Sequence, residues 1–277
     1  MKNFTLLILF AFCLYGCTDK KEKNSLTEEN LKGKVSSIKE SYYFADYKFG
    51  EAQKSDLHQK VAYKYDKKGN EIECNYFYPD GSLSIKIKYK YDNERNLIEI
   101  NRYNFNGGLV DKNTYKYDNN GNKIEENNYR SNGSLMYQNK YKYDNNGNNI
   151  EQNNYNFDGS LSLKIKYKYD DNDNQIESVK YNEYGKAFWK NKYKYDNNGN
   201  QIEDNYYGYD DVISNKVKYK YDDNGNLIER KEYNESGKLY LKNTYKHEFD
   251  KTGNWIKRID FYFDKPISIN ERLIEYY

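Results

Sequence analysis

A Tyr-Lys-Tyr-Asp-like tetrad returns eight times along this chain, its aspartates running from Asp66 to Asp250. Six successive steps are 26 residues long and the last is 28. A fixed period of that length marks a repeat architecture, in which one supersecondary unit is copied and stacked. Most of the chain is thereby committed to scaffold, and little is left over for a catalytic centre.

Within one period the pattern is that of a hairpin. Leu135, Tyr137, Tyr141 and Tyr143 share one parity, while Gln138, Lys140 and Lys142 share the other. Alternation with period two belongs to a half-buried strand, and tyrosine and β-branched residues suit a pleated surface. Asp144-Asn145-Asn146-Gly147-Asn148 follows, a turn in which Asp and Asn bond back to the backbone and Gly supplies positive φ. A second strand, Asn149 to Tyr155, leads to a second turn at Asn156-Phe157-Asp158-Gly159. Because 26 is even, every copy presents the same faces. Arg95 and Asp173 stand where the first turn otherwise has Gly, which predicts a strained or different turn in those two copies.

The expected fold is all-β: an antiparallel hairpin array of eight 26-residue units forming one long, twisted, curled meander sheet. Two strands per repeat give roughly sixteen strands, with the Tyr/Ile/Leu face curled inward and the Lys/Glu/Asn face outward. Residues 61–257 carry the repeats, 34–60 supply N-terminal capping strands and 258–277 C-terminal ones. Caps of this kind close the exposed edges of an array.

At Tyr143-Asp144-Asn145-Asn146-Gly147-Asn148 and its copies, with Phe157-Asp158-Gly159-Ser160 and Pro79-Asp80-Gly81-Ser82 as later turns, the chain resembles the YD repeats of bacterial Rhs proteins. That resemblance implies a hairpin-repeat fold of the kind wound into toxin-enclosing shells. The repeats are few for a closed cocoon, and the sequence ends at Tyr277 with no toxin-like domain, so the resemblance implies the fold and not an activity.

The first 16 residues read as a lipoprotein signal peptide. Met1-Lys2-Asn3 is a short basic start, and the apolar run from Phe4 to Leu14 is too short to span a bilayer. Leu14-Tyr15-Gly16-Cys17 resembles the bacterial lipobox, which makes Cys17 the lipidated mature N-terminus. Residues 17–33 then form the lipidated cysteine and a polar tether. Its start, Thr18-Asp19-Lys20-Lys21-Glu22-Lys23, resembles the charged export signals of Bacteroidetes-type surface lipoproteins. The expectation is a lipid-anchored protein of the bacterial cell envelope, at the outer membrane and exposed on the surface.

Chemistry-bearing motifs are scarce. Only Cys74 remains in the body after Cys13 and Cys17, so no intramolecular disulfide framework forms; a buried, inert thiol is expected. His58 and His247 lack metal-ligand spacing, and the Asp-Asn-Asn-Gly-Asn runs lack the Gly and Glu positions of an EF-hand loop. No nucleophile elbow, phosphate loop or zinc-protease motif is present. The chain is therefore read as non-enzymatic, with no cofactor and no catalytic or metal residues. With 45 basic and 43 acidic side chains, Lys-bearing and Glu-bearing strands are expected to cancel, arguing against a nucleic-acid partner.

The tyrosines, 35 of them, are the remaining candidates. Two rows, from Tyr89 to Tyr219 and from Tyr91 to Tyr221, are expected to pack the sheet's inner face. Tyr103, Tyr129, Tyr155, Tyr181, Tyr207 and Tyr233, next to the second turns, are candidate ligand contacts. Ring faces and phenolic hydroxyls there suit a glycan or peptide. The sequence thus points to a membrane-anchored β-repeat protein presenting an extended binding surface to a glycan or an envelope protein. The alternatives are a carbohydrate-binding lipoprotein using the Tyr rows, a structural spacer and a small relative of toxin-shell proteins with a separate partner.

Overall fold

The computed structural model describes residues 24–208 and 211–277. Cys17 and the charged run 18–23 lie outside the described residues. Among the described residues eighteen strands, from β1 (Val35–Lys48) and β2 (Glu51–Tyr65) to β17 (Trp255–Tyr262) and β18 (Lys265–Tyr276), run up and down in chain order, each antiparallel to the next. β1 pairs with β18 as well as with β2. The open meander expected from the repeat is therefore corrected to a closed eighteen-strand barrel.

The physical reason lies in bulges that the 26-residue count conceals. In β7 (Lys123–Arg130), Ile124 and Glu125 together oppose Lys116; in β8 (Leu135–Tyr143), Met136 and Tyr137 together oppose Asn128. A residue inserted in this way bends the strand and adds right-handed twist. The interruption recurs after almost every turn, so the curl accumulates until the two ends of the sheet meet.

The turns themselves are uniform. Asp144 N–H donates to the Asn148 carbonyl at 3.0 Å and Gly147 N–H to the Asp144 carbonyl at 3.2 Å, with Gly147 at φ 88°. Arg95 and Asp173 keep the same turn at φ 70° and 61°, with N–H bonds to Asp92 and Asp170 of 3.2 and 3.1 Å. Those two copies accept a left-handed side chain and do not switch turn type.

The bulges also sort the faces. Both residues of a bulge point to one side, so Ile124 joins Glu125 on the outer wall, and Leu135 lies opposite Tyr129 on the outer wall too. Tyr115, Tyr141, Glu126 and Asn128 face the interior, where Tyr141 donates to Glu126 at 2.8 Å. Burial raises the hydroxyls of Tyr115 and Tyr167 to about 12, whereas Lys142 between two inner tyrosines is 67% exposed.

A short helix, α1 (Ser25–Glu28), capped by Asn24, lies against the inner wall at the rim formed by the Asp turns. Leu26 and Leu31 pack with Val35, Ile38 and Tyr65 into the main apolar cluster. Leu26 N–H donates to Gly69 at 3.1 Å, and Asn254 exchanges two 2.8 Å hydrogen bonds with the backbone of Lys32. This segment therefore ties the first repeat turn to the last. Across the closing seam, Arg272 of β18 pairs with Glu40 of β1, which is 3% exposed, and stacks 3.6 Å over Trp255.

Candidate binding surfaces

The inner tyrosines serve the barrel. Tyr143, Tyr169 and Tyr195 donate at 2.7, 2.8 and 2.7 Å to the carbonyls of Lys123, Asn149 and Gln175, each 20 residues back. Each hydroxyl thus latches one hairpin to the start of the strand before it. Three arginines on this wall are paired with acids: Arg102, Arg230 and Arg258 meet Asp111, Glu232 and Asp260. Cys74 is buried here, and burial pushes its thiol up, away from the thiolate. Among the described residues no group of three His, Cys, Asp or Glu side chains could hold a metal ion. The carboxylates of the turns are committed locally: Asp118 accepts from the N–H of Asn120 and Asn122 and from the Asn122 amide.

The six candidate tyrosines lie on the outer wall near the second turns, all half-buried. Their cross-strand neighbours are small or aliphatic: Tyr103 faces Leu109, Tyr155 faces Leu161, Tyr181 faces Ala187, Tyr207 faces Ile213 and Tyr233 faces Leu239. Lysine ammonium groups lie over five of the rings, among them Lys88 over Tyr103 at 6.0 Å, Lys112 over Tyr129 at 5.7 Å and Lys140 over Tyr155 at 5.5 Å. Lys166 covers Tyr181 and Lys192 covers Tyr207 at 5.8 and 5.7 Å. The result is a belt of tyrosine and aliphatic pairs roofed by cations.

Charge on this wall does not cancel. Leu83–Tyr91, Leu161–Tyr169, Ala187–Tyr195 and Ile213–Tyr221 each turn three lysines outward, as with Lys86, Lys88 and Lys90. Each following strand offers one outward glutamate, such as Glu99, Glu177 or Glu203, already engaged by Lys90, Lys168 or Lys194. The Lys90 hydrogen bond is the main influence holding the Glu99 carboxyl below its ordinary range. Since the whole chain is only +2, the balancing acids sit elsewhere, in the turns, in the interior and on the closing strands, where Glu248, Glu271 and Glu275 pair with lysines. A reading by strand composition missed this, because the arginines and the acids that pair with them point inward.

The two rims also differ. One is built of Asp turns and receives the N-terminal segment, and the last residue's N–H donates there to Lys34 at 2.9 Å. The other carries bare aromatic tips: Phe49 is 95% exposed, Phe157 68% and Tyr184 85%. Sequence reading passed over these tips, though Phe105 and Phe157, two periods apart, both precede an Asn-Gly or Asp-Gly turn.

No protein-family model and no curated protein matches the chain. Among solved structures, a porin-like protein from Bacteroides uniformis aligns with 87% of this chain and 96% of its own, at 9% identity and a TM-score of 0.44. A porin-like protein from Bacteroides vulgatus aligns with 88% and 98%, at 17% identity and a TM-score of 0.39. The TcdB2-TccC3-TEV structure is covered over only 12% of its length, against 76% of this chain, at 12% identity and a TM-score of 0.37. At these TM-scores the likeness carries no argument about this chain.

Proposed function

We propose that this chain is a non-enzymatic, lipid-anchored barrel of the bacterial cell envelope that presents its outer wall for binding. The observation that carries this reading is the wall itself, with three lysines to one glutamate in several repeats and tyrosines beneath them. Such a wall also argues against a barrel threaded through a bilayer, where each outward lysine at the midplane costs about 2–4 kcal/mol. The lipobox-like Leu14 to Cys17 supports the anchor. From Cys17 the described chain begins at Asn24 on the Asp-turn rim. Seven residues reach about 25 Å at most, so the anchor keeps that rim towards the membrane and the aromatic rim away from it.

The test is metabolic labelling with an alkynyl fatty acid, combined with protease treatment of intact cells. Incorporation that disappears in Cys17→Ala, with the barrel accessible to antibody on intact cells, supports the reading. A protein that takes up no label and fractionates as soluble would overturn it.

A further inference from the structure

We infer that the outer wall is a receptor for an acidic polysaccharide, taking its carboxylate or sulfate groups on lysine rows and its ring hydroxyls on asparagines between them. The inference deepens the binding reading above and rests on it. The unit of the site is a rung of three strands. Asn153 sits between Lys140 and Lys164, and Asn205 between Lys192 and Lys216. Both asparagines donate their amide N–H to a glutamate on the same strand, Asn153 to Glu151 at 2.9 Å and Asn205 to Glu203 at 2.8 Å. That bond fixes which end of each amide is the oxygen. Both oxygens, in side chains only 7% and 5% exposed, lack a hydrogen-bond partner. A buried acceptor left unpaired is costly, and it calls for a donor.

This second observation selects among anions. Lysines alone would suit a duplex, an anionic bilayer or an acidic glycan. A DNA backbone brings phosphates and no hydroxyl donors to an isolated acceptor, whereas a uronic-acid polymer brings carboxylates and hydroxyls together. Four strand arginines, whose planar fork favours phosphate, are engaged by Asp111, Glu232, Asp260 and Glu40, and Arg130 donates to the Leu135 carbonyl. With each asparagine flanked by two lysines, an anionic group drawn to the lysines brings the hydroxyls of the same sugar chain beside the acceptor. Rungs follow one another around the convex wall at about 10 Å per repeat, which fits an extended chain lying across the strands.

The experiment measures binding of the full chain, in neutral detergent, to polygalacturonate, with uncharged dextran, duplex DNA and phosphatidylglycerol vesicles alongside. Expected are binding to polygalacturonate at about 0.1 M salt, where exposed charges beyond about 10 Å are screened, and none to dextran. Lys140→Gln, Lys164→Gln, Lys192→Gln and Lys216→Gln combined should weaken it about tenfold, at a few tenths of a kcal/mol per exposed charge. Asn153→Leu with Asn205→Leu keeps every charge; it should weaken polygalacturonate several-fold, leave the salt dependence unchanged and leave DNA binding untouched. DNA or vesicles bound as tightly as polygalacturonate, or asparagine variants without effect, would overturn the inference. Fatty-acid labelling of Cys17 is read separately, so failure here leaves the anchor reading standing, and the reverse also holds.

Discussion

At the scale of single residues, the inner wall is where ionisation and fold are coupled. Glu71 lies under α1 beside Glu29, and burial, then the Glu29 charge, raises it from 4.5 to about 8. One of its carboxylate oxygens has no partner. A raised acid contributes stability that is fully present below its unfolded value and lost as pH climbs through its folded value. The window is therefore from about pH 4.5 to about pH 8. The turn aspartates act oppositely: Asp118 is held low chiefly by the Asn122 amide, so its contribution is lost as pH falls through its depressed value. Thermal melts of wild type should peak in mild acid, and Glu71→Gln should be the more stable protein at pH 9 while matching wild type near pH 5. A variant whose melting temperature still falls between those two pH values as steeply as wild type would place the coupling elsewhere. The latching hydroxyls allow a second check. Tyr143→Phe removes one hydrogen bond to Lys123, worth about 1 kcal/mol. Amide exchange should quicken near the Asp144 turn and remain unchanged on the far side of the barrel.

At the scale of the element, the hairpin was legible because its signals are local. Alternation from Leu135 to Tyr143 and an Asp-Asn-Asn-Gly-Asn turn name two strands and the loop between them without reference to anything distant. What stayed hidden was the bulge after each turn. Ile124 and Glu125 facing Lys116 leave no mark in composition, and strict parity therefore put Leu135 with the tyrosines and not opposite Tyr129 on the outer wall. The candidate tyrosines could be named from their period, but the lysines above them could not, because that roof depends on the register of two strands. The turns predict their own energetics. Gly159 has φ 82° and open space where a Cβ would stand, so Gly159→Ala pays only for the left-handed backbone, about 1–2 kcal/mol. A denaturant midpoint shift of that size, with unchanged slope, is expected; no shift would mean that the turn relaxes to another type.

At the scale of the molecule, closure was the feature the repeat could not announce. A period specifies how each unit meets the next, and it says nothing of whether the last meets the first. Here that meeting is made by strands outside the repeat: β1 against β18, with the segment from Asn24 to Lys34 strapped across from Gly69 to Asn254. Besides its backbone ladder, the seam carries a buried ion pair. Glu40 accepts from Arg272 and from Tyr42, and the guanidinium of Arg272 is stacked on Trp255. Removing one member of a buried pair is more damaging than replacing both, by about 3–5 kcal/mol, since it strands the other charge. Glu40→Ala should therefore destabilise the barrel by that order, and Glu40→Leu with Arg272→Met should recover much of the loss. The distinguishing measurement is hydrogen exchange resolved along the chain. If the seam is what turns a curled sheet into a barrel, Glu40→Ala should raise exchange first in β1 and β18 while the middle repeats stay protected. Uniform loss across all eighteen strands would instead mean that the barrel opens only as a whole.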